Sequence, residues 1–284
     1  AGFAFPNLPE PLGPHRGVVN MRPSAVTGLT IDGNSAHSSG WWWNHAGAFY
    51  WGGALYYNNN NELEYNAGRD QSNQRYPCLV NKCVEDGDCN SWCQPTEQAW
   101  LEVTNTKAFL SAGVGFGSWS GRMDIVGFES HDCSLSLEAL SQGFWINNML
   151  SVCRTKTPIA LPDGVRASYI KANGFKWYDT GQEHIITTAT FRNCGSRSNS
   201  EHGEFNEYDQ GVNRGCGSEH DIGCTDYSSV WLMLTHSDQF VPEMMQGTRD
   251  ITFENCGRRF RLQGGPDTVS GREQNWIDMD GSIT

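Results

Sequence analysis

The sequence predicts an all-β chain whose repeats fit either a parallel β-helix or a β-sandwich. Three observations predict this. Glycine accounts for 32 of the 284 residues, where the usual abundance of roughly 7 % would give about 20. Short β-type runs close repeatedly on Gly, Asn or Asp, and no long stretch carries apolar residues at helical spacing. Two segments repeat almost word for word: Thr190-Phe191-Arg192-Asn193-Cys194-Gly195 and Thr252-Phe253-Glu254-Asn255-Cys256-Gly257.

The two copies lie 62 residues apart, a distance that fits about three coils of roughly 20 residues. Sharp corners between strands need a left-handed backbone conformation, which Asn tolerates better than most residues. Stacked corners would bring equivalent Asn side chains into hydrogen-bonding reach. The Phe two places earlier would point inward and stack on its counterpart. The repeat cysteine is either a small buried hydrophobe or half of a disulfide. Leu29-Thr30-Ile31-Asp32-Gly33-Asn34 and Tyr169-Ile170-Lys171-Ala172-Asn173-Gly174 are weaker relatives, each with Asn shortly after a β-type run. Met123-Asp124-Ile125-Val126-Gly127-Phe128 is a further strand-like run.

The ten cysteines are an even count. Cys78, Cys83, Cys89 and Cys93 crowd one segment without the Cys-x-x-Cys pairs of structural zinc sites, so disulfides are expected, with Cys216 and Cys224 as further candidates. That implies an oxidising compartment and an extracellular or cell-surface chain. No run approaches the roughly 20 apolar residues of a membrane span. No Asn-x-Ser/Thr sequon supports glycosylation. The chain begins Ala1-Gly2 and ends in β-type sequence, as a segment cut from a longer protein would.

A formal charge of −12 disfavours nucleic acid and anionic membranes, which require a positive surface. No linker divides residues 1–284, so a single domain is expected. Residues 41–76 are rich in Trp, Tyr and Asn; 77–97 form a cysteine-rich loop; 196–228, with many Gly, Ser, Glu and His, form a loop insertion.

The succession HIITTATFRNCG, SSVWLMLTHSDQFVP, RDITFENCGRRFRL and NWIDMDGSIT resembles the parallel β-helix region of the cell-surface hyaluronidase family and its large relative fibrocystin-L. The closing motif is Asp278-Met279-Asp280-Gly281-Ser282. Gly33-Asn34-Ser35-Ala36-His37-Ser38, after the lead Leu12 to Gly17, is similar to that family's Asn-x-Ala-His-Ser element. The resemblance covers about residues 8–40 and 180–284 and implies a right-handed parallel β-helix with disulfide-braced loop insertions. The cysteine cluster and the Trp-rich stretch depart from the animal hyaluronidases.

Candidate site residues follow. Asp278 and Asp280, two apart on a strand, would present both carboxylates on one surface. Such a pair suits glycoside hydrolysis or calcium, or else caps the turn before Gly281. His37 beside Asn34 is a proton shuttle at a coil corner, or a histidine satisfied locally. Arg259 and Arg261, next to Arg258, would share a face if Phe260 and Leu262 point inward, ready to fork onto acidic glycans or to pair with nearby acids. Trp41, Trp42 and Trp43, with Trp51, Tyr56, Tyr57 and Tyr65, are sugar-stacking platforms or packing residues. His202, His220 and His236 stand among Glu201, Glu204, Glu219, Asp221 and Asp238, without the spacing of a zinc protease motif.

The resemblance to fibrocystin-L implies an extracellular module acting as a structural scaffold or glycan-contacting surface of a coat or filament, and the acidic charge and expected disulfides favour it. The alternative implied by the resemblance is an endo-glycosidase acting on hyaluronan-like polysaccharide. The expected partners are extracellular polysaccharide, neighbouring surface proteins or further copies of the chain. No cofactor beyond a weakly indicated calcium is expected.

Overall fold

A computed structural model describes residues 2–5, 14, 30–39, 47–51, 54–57, 60, 63–66, 98–118, 122–139, 143–153, 155, 173–178, 183–194, 230–234, 246–256, 259–264 and 276–283. The protein is all-β over these residues, with parallel strands in two large sheets.

The first sheet stacks β1 (Phe3–Phe5), β4 (Phe49–Trp51), β9 (Val114–Ser118), β12 (Leu135–Ala139), β14 (Asn173–Tyr178), β16 (Val230–Leu234) and β18 (Phe260–Gly264) in that order. The strands between them in sequence build the second sheet. These are β2 (Ile31–Asp32) with β3 (Ser35–His37), β7 (Gln98–Thr104) with β8 (Lys107–Phe109), β10 (Arg122–Val126) with β11 (Glu129–His131), then β13 (Gly143–Val152), β15 (Glu183–Arg192), β17 (Gln246–Glu254) and β19 (Trp276–Asp278). The chain thus alternates between sheets, and each visit pairs in parallel with the visits before and after it. One excursion breaks the rule. β5 (Ala54–Tyr57) and β6 (Leu63–Asn66) form an antiparallel hairpin, and β5 also runs antiparallel to β7. It falls within the Trp-, Tyr- and Asn-rich stretch.

Bends within the second sheet are stacked on one another. Gly33, Asn105, Gly127, Asn148, Thr188 and Asp250 all have positive φ, between 50° and 73°. The strand registers place them side by side in six successive passages. A second column holds Ser38, Leu110, Asp132, Asn193 and Asn255, with φ between 50° and 55°, interrupted between Asp132 and Asn193 by Cys153. At these bends the backbone keeps its cross-strand bonds. Ser38 N–H donates to Phe109 O at 3.2 Å, Leu110 to His131 at 3.0 Å, and Asn193 to Glu254 at 3.0 Å. Gly127 has a steric reason as well, since a Cβ there would lie 3.0 Å from Asn105 Oδ1. Gly, Asn and Asp supply eight of these eleven corners, with Ser, Leu and Thr at the other three. A left-handed Leu or Thr costs roughly 1–2 kcal/mol locally, so neighbouring passages must impose the bend there.

Columns of inward side chains form the core. Ile31, Val103, Ile125, Ile146 and Ile186 are register neighbours and buried, as are Phe49, Phe116, Leu137, Phe175 and Val230 in the first sheet. Phe191 is fully buried and stacks on Phe253, with ring centroids 5.8 Å apart and planes 19° off parallel. The sequence repeat therefore marks one column. Its copies are one strand step apart rather than three coils, because β15 and β17 are direct neighbours. A single passage here takes 62 residues, including β16 and residues 195–229 outside the described set. The Tyr169–Gly174 reading also needs correction. Asn173 opens β14 and is buried rather than turning a corner, and residues 169–172 lie outside the described residues.

Cys153 follows β13 and forms a disulfide with Cys194 after β15, tying adjacent passages together with Cα atoms 5.0 Å apart. In the first copy of the repeat the cysteine is thus half of a bridge, and in the second it is not. Cys256 lies in the next passage, where its sulfur accepts the Cys194 N–H at 3.4 Å and its S–H donates to the Phe191 carbonyl at 3.2 Å. Cys78, Cys83, Cys89, Cys93, Cys216 and Cys224 lie outside the described residues. Lys176 and Glu138 are register partners on β14 and β12. The Lys176 ammonium donates to Glu138 Oε1 at 2.8 Å, with both side chains only 2 % exposed.

Candidate functional site

Asp278 ends β19, and Asp280 lies in the bend that follows. Strand alternation, which would have put both carboxylates on one surface, therefore stops before Asp280. Asp280 Oδ2 accepts the Asp250 N–H at 2.7 Å and Oδ1 accepts the Ser282 N–H at 3.1 Å. Asp278 Oδ2 accepts the Ile283 N–H at 3.3 Å. Ser282 Oγ accepts the Ile251 N–H at 3.1 Å. The Asp278, Asp280 and Ser282 side chains thus dock backbone donors of their own turn and of β17. Hydrogen bonding to Ser282, then the Asp250 N–H, holds the Asp280 carboxyl below the ordinary 3.8. A carboxylate stabilised in its charged form is a poor proton donor near neutral pH.

His37 is exposed at the end of β3. Its Nδ1 is hydrogen-bonded to Ser38 Oγ at 3.0 Å, and its ring stacks on Phe109 with centroids 4.7 Å apart. Asn34 Nδ2 donates to the Asp32 carbonyl at 3.2 Å. The pair is satisfied locally, as a corner demands. Arg259 is exposed, with its guanidinium 5.2 Å from the centre of the Phe253 ring. Arg261 belongs to β18, but its side chain lies outside what the structure describes, as do those of Phe260 and Leu262. Trp41, Trp42, Trp43, Arg258 and the histidines 202, 220 and 236 are likewise outside the described residues. Trp51, Tyr56, Tyr57 and Tyr65 are placed on β4, β5 and β6 by backbone alone. Among the described residues no group of three or more His, Cys, Asp or Glu gathers as a metal site.

The most concentrated chemistry lies on a face that the motifs did not mark. Along β7, β10 and β13 the inward residues Leu101, Val103, Met123, Ile125, Phe144 and Ile146 are buried. Strand alternation therefore sends Glu102, Asp124 and Trp145 outward. Register places these three side by side on consecutive strands. Glu102 is exposed, Asp124 half-buried, and Trp145 44 % exposed. Trp100, also on β7, reaches Trp145 across β10, with ring centroids 4.6 Å apart and planes tilted by 40°. Burial, and then the neighbouring Glu102 charge, raises the Asp124 carboxyl above the ordinary 3.8. Two carboxylates and two indoles thus share one surface of the second sheet. Period-2 alternation in Trp-Leu-Glu-Val, Met-Asp-Ile and Phe-Trp-Ile carried the signal. Nothing in the sequence disclosed that the three strands are neighbours.

Along the same sheet, Lys107 bonds Glu129 at 2.7 Å and His131 Nε2 meets the other oxygen of Glu129 at 2.6 Å. Hydrogen bonds from Lys107 first, and then His131, lower the Glu129 carboxyl from its ordinary 4.5. Among the described residues no helix is long and apolar enough to cross a membrane.

No family model and no solved structure matches the chain. All of it aligns with proteins of Dictyostelium discoideum. It is 31 % identical over 291 residues to protein rliB, covering 22 % of that protein. It is 30 % identical over 290 residues to a G8 domain-containing protein, again covering 22 %. Communication mutant protein F is 31 % identical over 294 residues and 22 % covered. The chain therefore spans about a fifth of the length of the curated relatives it matches.

Proposed function

We propose that the chain is a right-handed parallel β-helix segment of an extracellular or cell-surface protein, acting as a structural scaffold with a glycan-contacting face. The observation that carries this is the pair of left-handed corner columns, one running through six successive passages and the other through five of six, interrupted at Cys153. A chain that returns at fixed register and bends at the same place each time builds a stack in which every passage supports its neighbours. Parallel strands of one sheet joined by a crossover are right-handed in about 98 % of cases, which supports the hand. The disulfide joining adjacent passages supports an oxidising compartment. Kinship with the β-helix region of the cell-surface hyaluronidases and fibrocystin-L belongs to the same proposal. Its support is the ordered motifs, whose closing Asp-x-Asp-Gly-Ser element caps backbone.

A scaffold is favoured over a hyaluronan-cleaving enzyme because both oxygens of Asp280 and one of Asp278 accept backbone N–H groups. Incubating the pure chain with high-molecular-weight hyaluronan tests this. The scaffold reading expects polymer of unchanged length on a gel. Shortening that disappears in Asp280→Ala would overturn it.

A further inference from the structure

We propose that Trp145, with Trp100, Glu102 and Asp124, forms a binding platform for an uncharged pyranose polysaccharide lying across β7, β10 and β13. This deepens the glycan-contacting part of the proposed function and names a site and sugar class different from the arginine-based acidic site expected of the sequence.

The tryptophans carry the argument. A large indole left 44 % exposed on a regular sheet, in contact with a second indole from two strands away, is an apolar plane held rigidly by two strands. The C–H face of a pyranose ring is the flat, weakly polar surface that stacks on such a plane, as aromatic residues do at other recognition surfaces. Polar groups flank the plane in register. Asp124 lies on the strand next to Trp145 and Glu102 on the one beyond it, both to one side, and ionised carboxylates are acceptor-only groups. Sugar hydroxyls supply donors in abundance, and a carboxylate with two oxygens takes them from adjacent ring positions. Neighbouring strands are separated by about 4.8 Å, comparable to the length of one pyranose unit, so a polymer running along the stack meets one outward residue per sugar.

Charge decides the class of sugar. Two adjacent carboxylates on a chain of net charge −12 repel a polyanion such as hyaluronan over several ångströms, and the cost rises as the surface is desolvated. A neutral chain meets no such penalty. The outward column continues beyond Trp145 with half-buried Ile185, then Gly247, then exposed Ile277. These three positions carry no charge, and Gly247 is buried beneath Ile277 and Met279.

The experiment is affinity electrophoresis of the full chain through native gels. One gel contains hydroxyethylcellulose, one galactomannan, one hyaluronan, and one no polymer. Retardation by at least one neutral polymer, with none by hyaluronan, is expected. Trp145→Ala, checked for folding by circular dichroism, should weaken the neutral-polymer interaction roughly tenfold, and Trp145→Tyr should restore part of it. Migration unchanged by both neutral polymers overturns the platform, as does retardation that persists undiminished in Trp145→Ala. Hyaluronan retardation stronger than either neutral polymer overturns the assignment of sugar class. Loss of the platform leaves the scaffold standing, while hyaluronan cleavage would remove the scaffold reading whatever these gels show.

Discussion

Asn255 donates its side-chain amide to the Oδ1 of Asn193 at 2.9 Å, and both residues hold left-handed backbone at equivalent bends of neighbouring passages. Asn is the side chain that accepts this conformation readily and can also bond to its own copy above. Replacing Asn193 by Ala removes both properties. The expected loss is about 1–2 kcal/mol in urea unfolding. Asn193→Gly keeps the backbone freedom and should lose less. Equal losses would mean that the bend is not what the asparagine contributes.

The Cys153–Cys194 bridge closes a segment of sequence separation 41. A cross-link over that length stabilises a chain by about 2–4 kcal/mol. The double variant Cys153→Ala/Cys194→Ala should lose an amount in that range. Non-reducing peptide mapping of the parent protein should recover the two cysteines in one linked fragment.

Lys176 and Glu138 are a desolvated ion pair. Removing one member strands the other charge, so Lys176→Met is expected to destabilise by about 3–5 kcal/mol. Glu138→Leu combined with Lys176→Met removes both charges and should recover much of the loss. A double variant no more stable than the single one would contradict the pairing.

Acid should act on two carboxyls with opposite sign. Glu129 titrates lower in the folded chain than its ordinary 4.5 because Lys107 and His131 bond its charged form. Its contribution is complete above about pH 4.5 and fades as pH falls through the lower folded value. Glu129→Gln should therefore flatten the acid limb of a plot of Tm against pH. Asp124 titrates above its ordinary 3.8 through burial and Glu102, so its ionisation destabilises the fold as pH rises through that region. Asp124→Asn should raise Tm at neutral pH and change it little at pH 3.

Much of the fold was legible because corners have a chemistry. The Phe-x-Asn-Cys repeat specified an inward aromatic, a left-handed bend and a candidate bridge half, and the structure stacks Phe191 on Phe253 and Asn193 on Asn255. The interval was misread because 62 residues can be three short passages or one long one, and residue spacing does not distinguish them. Leu110 and Thr188 adopt left-handed corners that no local preference announces; their neighbours in the stack impose them. The site was harder to read. Asp278 and Asp280 looked like a carboxylate pair but bond backbone once the strand ends. Glu102, Asp124 and Trp145 come from three separate segments and meet only through register. Cys153 escaped notice for the same reason, since its partner is a neighbour only in the stacked sheet.

Whether equivalent residues of the repeat truly share one column is measured most directly by a double-mutant cycle on Phe191→Leu and Phe253→Leu. Rings stacked at 5.8 Å should give a coupling energy of about 0.5–1.5 kcal/mol. Losses that add to within about 0.3 kcal/mol, as for side chains more than roughly 10 Å apart, would place the two rings in different parts of the molecule and contradict the stacked passages.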